Sequence, residues 1–260
     1  MSPKFVVYET LYLTSVRGSD KHIGIIRFHN PTHFWNDIRL PWGTRVGEHR
    51  FNHAFLDELA AALDKAEFDS TLVGIIFTGD GKYFLNGIDT EYIKANPADS
   101  EGVQRKVESI FVKVLSLKCI TIAAINGHAT ATGAIFAMCC DFRLMTERGF
   151  FFVPAVDIGI VYSQGMVEVL KSKITDSNLQ RDFMLLSKRY TSTDILRMGL
   201  ITAVTSAGNL LHDAFELIKN NWKENGDCYA EVRKRIYASA VSELTRTHVS
   251  DMRWGNLSKL

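Results

Sequence analysis

At 260 residues, 46% hydrophobic and 23% charged, the chain has enough apolar material to bury one full core without an external staple. Thirty basic against 29 acidic residues leave a net charge of +1, which argues against a nucleic-acid surface. No run of about 18 apolar residues occurs and no basic segment leads into a long apolar one near Met1, so neither a membrane span nor a secretory leader is expected.

In chain order, Phe5 to Thr14 and His22 to Phe28 read as the first strands, and Phe51 to Ala66 carries apolar residues at helical spacing. Leu72 to Phe77 is a strand-like apolar run that ends in a Gly-rich turn, Thr78 to Lys82, followed by Tyr83 to Asp89. Glu101 to Leu117 reads as an amphipathic helix. Ile120 to Ile125 reads as a buried strand, Asn126 and Gly127 as a turn, and Ala131 to Cys140 as a helix without a polar face. Arg143 to Met145 and Gly149 to Val153 suggest short strands, and helices dominate from Leu179 onward. These elements support a mixed α/β class.

The most informative stretch is Thr121 to Asp141, because a buried strand there meets a buried helix through a turn of very small residues. The first amides of a helix have no intrahelical partner, and the helix end is positive. With only Ala, Thr and Gly from Ala129 to Ala134, those amides can face an oxygen that gains negative charge in a reaction, as in an oxyanion hole. The alternative is that small residues merely let the helix pack closely on a sheet.

Phe84 to Asp89, reading Phe-x-x-Gly-x-Asp, and Asn126 to Gly133 resemble in order and separation the two oxyanion-hole segments of the crotonase, or enoyl-CoA hydratase/isomerase, superfamily. Glu48 to Phe51, Arg148 with Gly149, Val156 to Gly159, and Tyr229 to Tyr237 extend the likeness over most of the chain after Gly47, toward plant-type peroxisomal Δ3,Δ2-enoyl-CoA isomerases. The segment from Gly24 to Val46 looks divergent from that pattern. The resemblance implies a crotonase-like spiral of ββα units over residues 1–200, a C-terminal helical region over 201–260, and a homotrimer or hexamer. It implies that the backbone amides of Ile88 and Thr132 hold a thioester oxygen, with Phe84, Asn86, Gly87, His128, Gly133, Ala155 and Gln164 around the acyl-CoA substrate. Coenzyme A would be part of the substrate, with no separate cofactor.

The same resemblance places the family's catalytic glutamates at Ile135 and Ala155, neither of which titrates. Loss of an acid at position 135 is expected of an isomerase, since only hydration needs two. Loss at 155 removes the base of the plant-type enzymes. Gln164 stands where fungal and animal peroxisomal isomerases take theirs, and an amide is no base. Asp157 is a candidate replacement, because side chains two apart on an extended segment share a face; His128, Glu168 and Glu147 are poorer ones. Three functions follow: a Δ3,Δ2-enoyl-CoA isomerase, a non-catalytic acyl-CoA-binding paralogue, and a hydratase or other crotonase-type reaction. A serine hydrolase is disfavoured, since no Gly-x-Ser-x-Gly occurs.

Cys119, Cys139, Cys140 and Cys228 lack metal-ligand spacing, and the eight histidines form no His-Glu-x-x-His, so no metal site is expected. Arg233 to Arg235 form a basic cluster that reads either as a solvated helix face or as a contact for the phosphates of coenzyme A. Ser258-Lys259-Leu260 matches the tripeptide read by the peroxisomal import receptor, which implies a peroxisome or a related microbody such as a glycosome.

Overall fold

The computed structural model describes residues 6–12, 21–29, 48–246 and 252–254. Most of the divergent segment and the Ser258-Lys259-Leu260 tripeptide lie outside the described residues. Gly24 to Phe28, at the start of that segment, belong to a strand.

A six-stranded sheet has the order β1 (Val6–Tyr12), β2 (His22–Phe28), β3 (Leu72–Gly79), β5 (Ile120–Ile125), β7 (Phe142–Thr146) and β9 (Ala203–Thr205). β1 runs antiparallel to β2, and every other pairing is parallel. A smaller parallel sheet has the order β4 (Tyr83–Leu85), β6 (His128–Thr130) and β8 (Phe151–Phe152). The two orders reveal a repeat. β3, β5 and β7 each enter the large sheet, the strand that follows enters the small one, and helices come next: α2 (Thr90–Ala95) with α3 (Ser100–Ser116), then α4 (Thr132–Cys139), then α5 (Gln164–Lys173). Three ββα units therefore step in one direction along both sheets, as the spiral reading expects.

The elements form where the sequence chemistry puts them. β3 and β5 are buried along their whole length, which is why they read as unbroken apolar runs rather than alternating ones. α1 (His53–Glu67) begins at Asn52, whose side chain accepts from the Phe55 amide at 3.0 Å, and buries Phe55, Leu56, Leu59 and Leu63. One face of the large sheet, with Phe77, Ala123 and Met145, packs on α1, α3 and α4; the other, with Ile76, Ile122 and Leu144, packs on Ala214 and Ile218 of α8 (Leu210–Asn221). Past Leu179 the chain is mostly helical, including α6 (Ser177–Gln180), α7 (Ser192–Arg197), α9 (Gly226–Ile236) and α10 (Ala238–Thr245). β9 nevertheless pairs with β7, so the large sheet draws its last strand from beyond residue 200.

Arg233 on α9 is not a solvated cation. Its guanidinium is buried, donates to the Leu117 carbonyl at 2.8 Å and to Thr121 Oγ1 at 3.1 Å, and pairs with Asp141. It ties α9 to the start of β5 and the end of α4, and is thereby withheld from any phosphate. Arg235 is exposed and pairs with Glu231 on its own helix.

Candidate functional site

The small sheet sets the register of the two small-residue segments. β4 and β6 are hydrogen-bonded neighbours with Leu85 opposite Ala129. Ile88 follows Leu85 by three residues, and Thr132 follows Ala129 by three, so the pairing brings the two predicted amides to the same level. Asn126 braces the strand ends: its side chain accepts from the Gly79 amide at 3.0 Å and donates to the Gly81 and Tyr83 carbonyls.

Each amide is freed by a different device. Phe51 forms a parallel bridge with Ile88, its amide donating to the Gly87 carbonyl at 2.7 Å and its carbonyl accepting from the Asp89 amide at 2.9 Å. Those bonds straddle Ile88 on one edge, which turns the Ile88 N–H to the other. Thr132 opens α4, where an amide has no intrahelical acceptor. It is aimed by Ala131, which holds φ 52° and ψ −132°, a conformation costly for a side chain with a Cβ. Among the described residues, no acceptor takes either amide. Two glycines permit the approach. A Cβ on Gly133 would lie 2.2 Å from the Leu85 carbonyl oxygen, and one on Gly87, which has φ +84°, would lie 2.8 Å from the Thr132 nitrogen.

Ile88 and Thr132 line a cavity of about 190 Å3 together with Arg50, Asn86, Thr90, Thr130 and Ala131, and with Pro154, Ala155, Ile158, Ile160, Tyr162, Met252 and Trp254. Asn86 and Thr130 are linked, the Thr130 hydroxyl donating to Asn86 Oδ1 at 3.3 Å. Arg50 is held by Glu48, to which its Nε donates at 2.6 Å. No carboxylate lines the cavity among the described residues; its ionisable groups are Arg50 and Tyr162. The Tyr162 hydroxyl accepts from the Ala155 amide at 3.2 Å. Burial first, and the nearby Asp157 charge in addition, keep its phenol protonated well above the usual tyrosine range.

The structure gathers Ile88, Thr132, Asn86 and Ala155 at this cavity, with Gly87 packed against Thr132 and Gly133 against Leu85. The remaining expected residues stand elsewhere. Phe84 is fully buried in an aromatic cluster, with ring centres 5.5 Å from Phe28 and 6.4 Å from Phe136; it supports the strand that carries the hole. His128 lies outside the cavity, its Nδ1 accepting from the Phe150 amide at 3.2 Å and its ring against Tyr83 and Phe150. Gln164 is exposed at the start of α5 and donates to Glu168, which also binds Lys171 and Ser239. Asp157 is exposed and does not line the cavity. An extended backbone would put Asp157 on the face of Ala155, but residues 155–159 form a turn in which the Ile158 and Ile160 amides both donate to the Ala155 carbonyl. Tyr162, Met252 and Trp254 carried no motif or periodicity that could have marked them as lining residues.

The arrangement can hold a carbonyl oxygen between two main-chain donors in a cavity that is partly apolar, and can stabilise that oxygen as it becomes an enolate. The profile of the family described as enoyl-CoA hydratase/isomerase matches residues 48–259. The chain belongs to that family. Among its relatives, enoyl-CoA delta isomerase 1, peroxisomal, of Arabidopsis thaliana is 33% identical over 199 residues, covering 74% of this chain and 83% of the relative. Enoyl-CoA delta isomerase 2, peroxisomal, of the same plant is 30% identical over 217 residues, covering 77% and 89%. Human mitochondrial delta3-delta2-enoyl-CoA isomerase matches the fold with a TM-score of 0.77 at 20% identity, over 93% of this chain and 86% of that one. An Mtb enoyl-CoA isomerase in its apo form matches with a TM-score of 0.76 at 21% identity, over 94% and 95%. The family's ββα spiral is thus the fold of this chain, and its cavity is lined by Ile88 and Thr132. Among the described residues, no three His, Cys, Asp or Glu stand together as a metal site, and no helix is long and apolar enough to cross a membrane.

Proposed function

We propose that the protein binds unsaturated fatty acyl-CoA thioesters and works as a Δ3,Δ2-enoyl-CoA isomerase. The observation that carries this is the convergence of the unpartnered Ile88 and Thr132 amides on one partly apolar cavity. In such a reaction a proton leaves C2 of a 3-enoyl thioester, the negative charge spreads onto the thioester oxygen, and a proton returns at C4. Each amide aimed at that oxygen stabilises the dienolate by roughly 3 to 4 kcal/mol. Coenzyme A enters with the substrate, and no further cofactor takes part. The names of the Arabidopsis relatives support the isomerase reading and, with Ser258-Lys259-Leu260, support recognition by the peroxisomal import receptor and residence in a peroxisome or related microbody such as a glycosome. Assembly as a trimer or hexamer belongs to the same reading.

A second reading, an acyl-CoA-binding paralogue without turnover, is favoured by the lining of the cavity. Ala155 supplies no acid, and a phenol held protonated is a hydrogen-bond donor rather than a base. A third, hydration or another reaction through an enolate, gains nothing from a cavity without two carboxylates. Spectrophotometric assay of 3-enoyl-CoA substrates with the native protein and with Ala155→Glu separates the first two. Turnover by the native protein supports the isomerase; an inert native protein with an Ala155→Glu variant that gains activity overturns it in favour of the binding paralogue.

A further inference from the structure

Val161 and Arg253 face each other across an antiparallel bridge. The Val161 amide donates to the Arg253 carbonyl at 2.9 Å, and the Arg253 amide donates back to the Val161 carbonyl at 3.3 Å. On an extended chain the neighbours of a residue point to the face opposite its own. Val161 and Arg253 are both exposed, so Ile160 and Tyr162 on one segment, and Met252 and Trp254 on the other, are turned inward. All four line the cavity that holds the Ile88 and Thr132 amides. One bridge between segments far apart in the sequence thus builds a continuous wall of the pocket.

The chemistry of that wall differs from the chemistry of the rest of the lining. Arg50, Asn86, Thr90 and Thr130 bring hydrogen-bonding groups to the cavity. Ile160, Met252 and the ring faces of Tyr162 and Trp254 bring hydrocarbon and aromatic surface, and the Tyr162 hydroxyl is already engaged by the Ala155 amide. A surface of this kind accommodates hydrocarbon and penalises a polar group that loses its water. Trp254 is the bulkiest side chain in it. Met252, unbranched and with three rotatable bonds, can reshape itself around a ligand, whereas an indole cannot.

We infer that the Ile160–Tyr162 and Met252–Trp254 ribbon is the gauge of acyl-chain length, with Trp254 as the residue that closes the pocket and restricts it to short chains. This rests on the reading of the cavity as a thioester site. At about 30 Å3 for each water-sized group, a cavity of about 190 Å3 holds roughly six such groups, between the size of a butyryl group with its carbonyl oxygen and that of a hexanoyl group. Longer chains meet the indole.

The test needs no turnover. Saturated acyl-CoA thioesters from acetyl to palmitoyl are titrated calorimetrically into the native protein, Trp254→Ala, Trp254→Phe and the exposed-side-chain control Arg253→Ala, each checked for a cooperative thermal transition. The native protein and Arg253→Ala bind more tightly up to hexanoyl-CoA and no more tightly beyond it. Trp254→Ala goes on gaining about fourfold in affinity per added methylene over the next several carbons, and Trp254→Phe gains over fewer. If Trp254→Ala does not fold, the shift in Trp254→Phe decides. An unchanged chain-length profile in the folded variants overturns the gauge while leaving the thioester site standing. Failure of the native protein to bind any of the thioesters overturns the thioester site itself, and the gauge with it.

Discussion

Replacing Gly87 by Ala strikes directly at the Thr132 amide. The new methyl would sit 2.8 Å from the Thr132 nitrogen and 3.1 Å from the Ala131 Cβ, on a backbone held at φ +84°. Two costs follow. Left-handed backbone costs a non-glycine residue about 1 to 2 kcal/mol, which in a domain of this size lowers the melting temperature by roughly 2 to 8 °C. The methyl also crowds the Thr132 amide, which must shift to make room. Loss of one oxyanion-hole donor costs on the order of 100- to 1,000-fold in turnover, or about 2.7 to 4 kcal/mol. Infrared difference spectroscopy of a bound acyl-CoA reads the same event without chemistry, because the amides polarise the thioester carbonyl and lower its stretching frequency. Gly87→Ala should return that band most of the way to its frequency in water while the protein still melts cooperatively. A variant with the native band position and native melting temperature would refute the geometry assigned to Gly87 and Thr132.

Ala131→Gly should raise stability by about 1 kcal/mol, since relief of roughly 1 to 3 kcal/mol of backbone strain outweighs an entropy cost of about 0.4 to 1 kcal/mol; a lower melting temperature would contradict it. Arg233→Ala should cost about 3 to 5 kcal/mol by leaving Asp141 without its buried partner. The folded fraction should keep its affinity for acyl-CoA, and a selective loss of that affinity would restore the phosphate-contact reading. Asp157→Asn should leave both binding and any turnover of 3-enoyl-CoA unchanged, because its carboxylate lies outside the cavity; abolished turnover in a folded variant would reinstate it as the base. His128 is held below the ordinary histidine pKa, by burial first and then by Lys82 and Arg189, so the unfolded chain binds its proton more readily than the native state. Its contribution is therefore intact above about pH 6.5 and is lost as the pH falls below it. Urea unfolding of His128→Asn should show a shallower decline in that window than the native protein, and parallel curves would refute the assignment.

The meeting of the two small-residue segments at one cavity is legible in the sequence because its signal is local. Tiny side chains at a strand-to-helix junction leave few physical uses for the exposed amides, and the crotonase resemblance is what singles out Ile88 and Thr132. Where the chain folded back on itself, local reasoning failed. Phe84 stands inside the motif that marks the hole, yet its ring is spent on the core among Phe28 and Phe136. Asp157 was placed by a rule for extended chain, and the turn over residues 155–159 removes it from the pocket. Arg233 reads as one of three surface cations until Asp141, distant in sequence, is seen beside it. β6 hid inside what read as a turn, because three residues are too few to display alternation. Met252 and Trp254 could not be read at all, since their role depends on one backbone bridge to Val161.

The two donors of the hole are main-chain atoms, and this has a consequence for how such a protein changes over evolutionary time. Apart from proline, any residue at position 88 or 132 still carries an N–H, so substitution there rarely removes a donor. An acid at position 155, by contrast, disappears with a single codon. Under the proposed reading, lineages built on this scaffold can therefore shed, relocate or regain a proton-carrying side chain while the two main-chain donors persist, and new chemistry can arise on an inherited cavity.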